Sequence, residues 1–301
     1  MRIAAIDIGS NAVRMQVCSL VRYNDQDHIK NLEYIRFPLR LGQDVFNEGS
    51  ILPEAAARFL KLMKAFRLLL DLYEVSAYQA CATSAFRDAA NGAEIAEKVR
   101  KEEGIRIQIL RGEEEAALIS SALYRHLDDG FNLHIDVGGG STELNLYLDR
   151  KKFASASFNL GSVRSLNKKS SKSSWKEMEF WLQKNLHSPK LIATAIGTGG
   201  NISKLYELYP GKKKNKILTI SNLQAVHLML SRLSVKERIH KLLLNPDRAD
   251  VIVPAAEIYL QTMHLSKAKK ILVPDLGLKD GIIENIYQNV KGQIPSLSSD
   301  T

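Results

Sequence analysis

Cysteine is scarce in this sequence, which contains only Cys18 and Cys81. Both lie in apolar, strand-like segments, and neither has neighbours at metal-binding spacing. Two isolated thiols argue against a disulfide-stabilised scaffold. They fit buried free cysteines in a reducing environment, so we expect a cytoplasmic protein.

Long apolar runs are also missing. No stretch approaches the ~20 residues that a membrane-spanning helix needs, and the leucine-rich segment 59–75 is interrupted by charges such as Lys61, Lys64 and Arg67. Residues 1–7 show no long apolar core of the kind found in signal peptides. We therefore expect no membrane partner.

Acidic residues are fewer than basic ones, 33 against 42, and the formal net charge is +9. Much of the excess lies in two lysine-rich segments, 168–176 and 212–216. These segments are either solvated loops that aid solubility or a surface that attracts a long phosphate polymer. Apart from Trp175 they lack interleaved aromatic residues, so a nucleic-acid partner that stacks its bases there is not expected.

The order of the expected elements points to an α/β protein. With 301 residues, of which 45% are hydrophobic, the chain has room for two medium domains. Three strands followed by alternating helices and strands begin near residue 2, and the pattern restarts after 129–130, which predicts mixed sheets flanked by helices. The predicted domains are 1–125 and 126–301, with a C-terminal helix, about 285–301, that packs back on the first.

Individual elements follow from periodicity and from turn residues. Residues 41–49 read as a loop, and Pro53 suits the first turn of a helix. Further helices are expected at about 92–102, 113–125, 174–186, 201–208, 221–230, 249–262 and 278–290. Strands are expected at about 76–81, 105–110, 190–196 and 270–273, and the tail from Gly292 reads as frayed.

The segment 133–144 is the most informative stretch. It runs from an apolar strand through Asp136, three glycines and two hydroxyl residues to a second acid, Glu143. Consecutive glycines let a ligand approach the main chain, and backbone N–H groups in such a turn can bind an anion. The two carboxylates suit Mg²⁺, which takes one or two carboxylates plus phosphate oxygens. An ordinary hairpin with a glycine bulge is the alternative.

This turn has an earlier counterpart, because residues 6–11 resemble residues 135–140. Each copy is a strand, an Asp, a glycine turn and a second strand. Two similar domains would place Asp7 and Asp136 across one cleft. The alternative is that the two hairpins are alike by coincidence.

Both turns resemble motifs of the exopolyphosphatase / guanosine pentaphosphate phosphatase family. The similar motifs are DIGSNAVR at 7–14, ATSAFR at 82–87, GEEEA at 112–116 and DVGGGSTE at 136–143, extended by 159–164, 197–201 and 276–281. The likeness covers about 1–290. It implies two ribonuclease-H-like domains of the actin/Hsp70/sugar-kinase superfold, with an interdomain active-site cleft.

Three features depart from the family pattern. The chain resembles the short members that lack an additional C-terminal helical domain, which argues against processive action on long polymers. Lys279 stands where Arg is common, and Pro274 stands where a small residue is common. None of these departures touches the acids.

The resemblance implies that Glu115 orients or deprotonates the attacking water. The three acids from Glu113 to Glu115 are ambiguous by chemistry alone, and acids in a first turn also suit the helix dipole. The family motif selects the acid immediately before the alanine.

The metal and phosphate ligands form the rest of the predicted site. Asp136 and Glu143 are the expected ligands of Mg²⁺ or Mn²⁺, and Asp7 either joins them or braces its own turn. Arg87 is the expected direct phosphate contact, because guanidinium matches phosphate bidentately. The other expected phosphate-binding residues are Gly9, Ser10, Asn11, Ser84, Gly139, Gly140 and Ser141.

Two further features have alternative roles, and one histidine is interpreted as structural. Arg164 is a weaker phosphate candidate that could serve packing instead. The turn at 197–200 could bind a nucleotide or simply join a strand to a helix. His134 reads as structural, and no pairing among the histidines suggests a ligand set.

The leading hypothesis is a Mg²⁺-dependent hydrolase that releases terminal orthophosphate from inorganic polyphosphate. Guanosine pentaphosphate, a nucleotide of the stringent response, is the alternative substrate. An ATP-dependent kinase and a non-catalytic phosphate-polymer sensor are the competing classes on the same fold. The Glu115 context and the Ser84–Arg87 motif argue against the kinase, and the complete set of acids argues against the sensor. A homodimer is compatible with the resemblance.

Overall fold

The computed structural model describes residues 1–167, 172–186, 194–211 and 215–294. The chain divides into two compact units. The first, unit 1, comprises Met1–Ala122 together with the chain from Leu278 onward, and the second, unit 2, comprises Leu123–Gly277. Each unit has a mixed sheet with helices, which confirms the predicted α/β class.

Unit 1 is built on a five-stranded sheet with the order β3-β2-β1-β4-β5. β1 pairs antiparallel with β2 and parallel with β4. From Ile3 to Ile8 every residue of β1 is buried, as expected for a central strand covered on both faces. The strands are β1 (Arg2–Ile8), β2 (Val13–Tyr23), β3 (Gln26–Phe37), β4 (Ala77–Ala82) and β5 (Ile107–Ile109).

The helices of unit 1 confirm most of the expected elements. They are α1 (Leu41–Glu48), α2 (Pro53–Leu72), α3 (Ser84–Asp88), α4 (Gly92–Glu103) and α5 (Gly112–Leu123). Pro53 is at the start of α2, as its fixed φ favours. The predicted loop at 41–49 was wrong, because α1 forms there and buries Leu41, Val45 and Phe46.

Unit 2 has a six-stranded sheet with the order β10-β11-β9-β6-β7-β8. β6, β7 and β8 form an antiparallel meander, and β6 pairs parallel with β9. The strands are β6 (Phe131–Val137), β7 (Thr142–Leu148), β8 (Lys151–Phe158), β9 (Thr194–Thr198), β10 (Ile217–Thr219) and β11 (Lys270–Leu272). The predicted strand 190–196 is described only from Thr194.

Helices α6 to α11 complete unit 2. They are α6 (Lys172–Asn185), α7 (Gly199–Leu208), α8 (Ile220–Ser231), α9 (Val235–Leu242), α10 (Pro246–Ala249) and α11 (Ile252–Ser266). α11 packs on α7 and α8, and its residues Tyr259 and Met263 join the buried core with Leu133 and Ile135 of β6.

The last helix, α12 (Leu278–Val290), packs against β1, β2 and β4 of unit 1. Its close approach to α5 depends on Gly281, where a Cβ would lie 2.2 Å from the Leu118 carbonyl oxygen. Short 3₁₀ turns occupy Tyr124–His126, Arg164–Asn167 and Lys291–Gln293. Cys18 and Cys81 are both buried and free.

Candidate functional site

The β1–β2 and β6–β7 hairpins close in the same way. The Gly9 amide donates to the Ala12 carbonyl over 3.2 Å, and the Gly138 amide donates to the Ser141 carbonyl over 2.9 Å. In each hairpin an Asp lies on the first strand, two residues before the turn glycine. The predicted internal repeat is therefore a repeat of backbone geometry as well as of sequence.

Asp7 in the first hairpin faces a cation. Asp7 and Arg14 are directly opposite in the strand register, and Arg14 Nη1 donates to Asp7 Oδ2 over 2.9 Å. The Asp7 side chain is 7% exposed. Asp7 thus has a cationic partner within its own hairpin, which agrees with the bracing alternative.

The turn after β1 meets the turn after β4. Ser10 Oγ and Ser84 Oγ share a hydrogen bond of 2.7 Å, and both side chains are buried. The Thr83 amide donates to the Ile8 carbonyl over 3.1 Å, which aligns the two strand ends. Ligands of α/β sheets bind at such carboxyl ends of strands, so this edge of unit 1 suits a phosphate group.

Arg87 lies beside Glu115 in the same unit. Arg87 Nη1 donates to the Leu110 carbonyl over 2.8 Å and lies 3.9 Å from Glu115 Oε2. The carbonyl contact fixes one side of the guanidinium fork. The structure thus brings together two side chains that the sequence separates by 28 positions, the predicted phosphate contact and the predicted acceptor of the water proton.

The three acids of the first turn of α5 differ in surroundings. Glu113 is exposed. Glu114 accepts from the Arg111 amide over 2.8 Å, and this backbone hydrogen bond lowers the pKa of its carboxyl. The Glu115 side chain is only 12% exposed. Its placement near Arg87 distinguishes Glu115 from its two neighbours independently of the motif.

The start of helix α1 is hydrogen-bonded to the Gly9–Asn11 turn that follows β1. The Gly42 amide donates to the Ser10 carbonyl over 2.7 Å, and the Arg40 amide donates to the Asn11 carbonyl over 3.0 Å. A Cβ on Gly42 would lie 2.8 Å from Ser10 Cβ. Arg40 and Gly42 thus hold the backbone of the Gly9–Asn11 segment. The sequence analysis missed this contact because it treated residues 41–49 as a loop.

The second hairpin brings two acids together. Asp136 and Glu143 are directly opposite in the register of β6 and β7, so their side chains leave the sheet on the same face. Both are buried, at 9% and 1% exposure. Glu143 Oε1 accepts hydrogen bonds from Ser141 Oγ over 2.5 Å and from Ser157 Oγ over 2.9 Å.

The glycine turn is held by the segment after β8. The carbonyls of Gly138 and Gly139 accept from amides at 162–164 over 2.8–3.0 Å, and Arg164 Nε donates to the Gly140 carbonyl over 2.7 Å. A Cβ on Gly161 would lie 2.4 Å from the Gly139 oxygen, so only glycine permits this approach. Arg164 contacts the turn backbone, which favours its packing role.

The turn at 197–200 contacts Asp136, a link that sequence reasoning did not anticipate. Thr198 Oγ1 donates to Asp136 Oδ2 over 2.8 Å, and Tyr259 Oη donates to the Thr198 carbonyl over 2.8 Å. Gly199 has a φ of +86°, and a Cβ there would lie 2.8 Å from Asp136 Oδ1. The parallel pairing of β6 and β9 sets Thr198 beside Asp136, and no local signal in the sequence gives that register.

His134 is fully buried two residues before Asp136. Its Nδ1 is 2.9 Å from Asn145 Nδ2, and its Nε2 is 2.8 Å from Thr198 Oγ1. Burial lowers the pKa of His134 to about 3, with a smaller contribution from Lys152. The ring is therefore neutral, and it belongs to the polar surroundings of Asp136.

The donor set at the second hairpin fits a hard divalent cation. Two buried carboxylates on one face of a sheet repel each other unless a cation or a proton intervenes. Over the described parts of the chain, no group of three or more His, Cys, Asp or Glu side chains could hold a metal ion. A site with two carboxylates suits Mg²⁺, which keeps several waters and takes substrate oxygens as further ligands.

The two lysine-rich segments are only partly covered by the structure. Lys168, Lys169 and residues 212–214 of the lysine-rich segments lie outside the described residues. Lys176 is exposed on α6, and Lys216 Nζ donates to the Pro274 carbonyl over 3.4 Å. Among the described helices, none is both long enough and apolar enough to cross a bilayer.

Comparison with protein families gives one match that spans most of the chain. Residues 20–290 match the model of the Ppx/GppA phosphatase family. Exopolyphosphatase 1 of Mycobacterium tuberculosis is 26% identical over 303 residues, covering 94% of this chain and 87% of that protein.

Solved structures give the same picture. The Ppx/GppA family member from Aquifex aeolicus is 25% identical with a TM-score of 0.74, over 96% of this chain and 98% of that one. An exopolyphosphatase from Cytophaga hutchinsonii has a TM-score of 0.83 at 24% identity, over 96% and 98% of the two chains. The second likeness bears on the fold alone, which is the actin-like fold expected from the sequence.

Proposed function

The chain belongs to the Ppx/GppA phosphatase family, and we propose that it releases the terminal orthophosphate of inorganic polyphosphate in a Mg²⁺-dependent hydrolysis. At the coarser level, the chain is a hydrolase of phosphoanhydride substrates. The choice of polyphosphate draws on relatives that are named exopolyphosphatases.

The facing carboxylates of Asp136 and Glu143 carry this proposal. Phosphoanhydride hydrolysis needs charge neutralisation on the transferring phosphoryl group and a positioned water. Asp136 and Glu143 would hold Mg²⁺, directly or through water. When bound, the ion supplies positive charge to the phosphate oxygens.

Unit 1 supplies the groups that handle the water and the phosphate. Glu115 accepts the proton of the attacking water as the water oxygen forms a bond to the terminal phosphorus. The bond from that phosphorus to the bridging oxygen breaks, orthophosphate is released, and the bridging oxygen leaves with its electron pair on the shortened polyphosphate. Arg87 donates hydrogen bonds to the phosphoryl oxygens, since its guanidinium is already anchored by the Leu110 carbonyl. Backbone amides of the Gly9–Asn11 turn bind further phosphate oxygens, and those of residues 139–141 in unit 2 do the same.

The 197–200 turn favours polyphosphate over a nucleotide. The Thr198 hydroxyl and carbonyl are bonded to Asp136 and Tyr259, and the Gly199 amide donates to the Leu276 carbonyl over 2.7 Å. These contacts support a structural role for the turn. A nucleoside would need partners there that are already engaged within the protein.

Phosphate release from four substrates tests the proposal. Long polyphosphate, short polyphosphate, guanosine pentaphosphate and ATP are compared, each with Mg²⁺ and with EDTA. We expect release from polyphosphate that EDTA abolishes. Faster release from guanosine pentaphosphate would replace the proposed substrate, and turnover of ATP alone would contradict the proposed reaction.

A further inference from the structure

A chain of hydrogen bonds, buried beyond its first link, crosses four strands of unit 2 and ends on Asp136. Ser155 Oγ donates to Asn145 Oδ1 over 2.7 Å, and Asn145 Nδ2 lies 2.9 Å from His134 Nδ1. His134 Nε2 lies 2.8 Å from Thr198 Oγ1, which donates to Asp136 Oδ2 over 2.8 Å. His134, Asn145 and Thr198 are at most 1% exposed.

The chemistry of these groups gives every link one direction. An amide nitrogen can only donate, so Asn145 Nδ2 donates and His134 Nδ1 accepts. A neutral imidazole then carries its proton on Nε2 and donates it to Thr198 Oγ1. The hydroxyl has a single proton, which is directed at Asp136.

We propose that Thr198, oriented by His134, is a positioning residue that holds the Asp136 carboxylate in its cation-binding orientation. This inference rests on the proposed function, because it assumes that Asp136 binds the divalent ion. His134 fixes the hydroxyl by occupying its acceptor side. Thr198 fixes the carboxylate by donating to one of its two oxygens.

The Thr198–Asp136 hydrogen bond opposes the electrostatic repulsion between Asp136 and Glu143. Asp136 faces Glu143, and two facing carboxylates repel each other until a cation lies between them. Asp136 would otherwise adopt a rotamer that turns away from Glu143 in the metal-free protein. The Thr198 hydrogen bond holds it against this repulsion, and Gly199 keeps side-chain atoms away from Oδ1.

Binding of Mn²⁺ without substrate tests the proposal independently of turnover. Mn²⁺ is followed by electron paramagnetic resonance in the full-length protein and in three variants. Thr198→Val removes the hydroxyl at nearly constant shape, and Thr198→Ser restores it. Thr262→Val is the matched control, because it removes another fully buried threonine hydroxyl of unit 2, which bonds to the Ile258 carbonyl.

Thr198→Val should raise the Mn²⁺ dissociation constant about tenfold or more, the usual effect of losing a partner that orients a metal ligand. Thr198→Ser and Thr262→Val should bind within about twofold of the wild type, well below that effect. Wild-type affinity in a folded Thr198→Val protein overturns the inference. Absence of Mn²⁺ binding in the wild type itself contradicts the proposed function instead.

A second variant covers the case in which Thr198→Val does not fold. His134→Gln keeps an N–H donor toward Thr198 and an acceptor toward Asn145, whereas His134→Leu has neither. We expect His134→Gln to bind Mn²⁺ more tightly than His134→Leu. Equal affinities in these two proteins would remove His134 from the proposal.

Discussion

The two hairpins share a turn but differ in charge. In the first hairpin Asp7 faces Arg14 and forms an ion pair with it. In the second, Asp136 occupies the same place and faces Glu143. The backbone therefore repeats, whereas the residue across from the acid differs in charge, so the first hairpin holds an ion pair and the second holds two facing carboxylates.

The two hairpins also differ at the residue pair that lies two positions before each Asp. Two residues before each Asp, the first hairpin has Ala5 opposite Gln16, and the second has His134 opposite Asn145. Only the second pair belongs to the described hydrogen-bond chain to its acid. From this contrast we propose a structural role for the first hairpin and cation binding for the second. The charged residues of unit 1 that suit catalysis lie on α3 and α5 instead.

The largest expected effect belongs to Glu115. Glu115→Gln should reduce turnover by at least ~100-fold, as for loss of a general base, because an amide cannot take the proton of water. Initial rates of phosphate release measure this effect. Glu113→Gln, in the same helical turn but exposed, is the control, and near-normal activity of the Glu115 variant would refute the assignment.

Glu143→Gln tests the second hairpin. The variant keeps an acceptor for Ser141 and Ser157 but removes one of the facing charges. The Mg²⁺ concentration for half-maximal activity should rise at least ~10-fold, because loss of a proposed ligand should cost no less than loss of a partner that orients one. The metal-free protein should melt at a higher temperature, because the repulsion is gone.

The control for this variant is Glu177→Gln, which changes an exposed acid on α6. It should leave both the Mg²⁺ dependence and the melting temperature unchanged. If Glu143→Gln lowers the melting temperature of the metal-free protein, the two carboxylates do not repel each other and the contrast between the hairpins fails.

Asp7→Asn tests the first hairpin and should have the smallest effect on activity. The free energy of unfolding should fall by about 1–3 kcal/mol, because Arg14 loses its ion-pair partner in a mostly buried place. The Mg²⁺ dependence should not change. Urea unfolding and Mg²⁺ titration measure the two quantities.

Arg14→Met and the double variant complete a cycle with Asp7→Asn. The double variant should lose less stability than the sum of the single ones, since the two residues act as a pair. A large change in Mg²⁺ dependence on Asp7→Asn would instead assign Asp7 to the metal.

Much of the fold was readable because it follows from local signals. The apolar strands, the Asp and glycine turns and the helical periodicity predicted both sheets and most helices. The family motif selected Glu115, and the burial of its side chain next to Arg87 agrees with that choice. These features depend on residues close in sequence or on motifs of fixed spacing.

The features that the sequence did not disclose depend on contacts between distant segments. Helix α1 begins where the Gly42 amide meets the Ser10 carbonyl, a contact 32 positions apart. The sequence analysis interpreted His134 as structural and did not connect it to Asp136. The connection depends on Asn145 and Thr198, which lie on other strands. Helix α9 is different: its capping box, Ser234 with Glu237, was a readable signal that sequence reasoning overlooked.

The return of α12 to unit 1 has a consequence for biosynthesis. Unit 2 is a continuous stretch of chain, so it can complete its core as soon as Gly277 has left the ribosome. Unit 1 is translated first, but β1, β2 and β4 lack their covering helix until residues 278–290 emerge. Unit 1 therefore cannot complete its fold until unit 2 has been synthesised. Part of its central sheet stays uncovered during the synthesis of more than 150 residues.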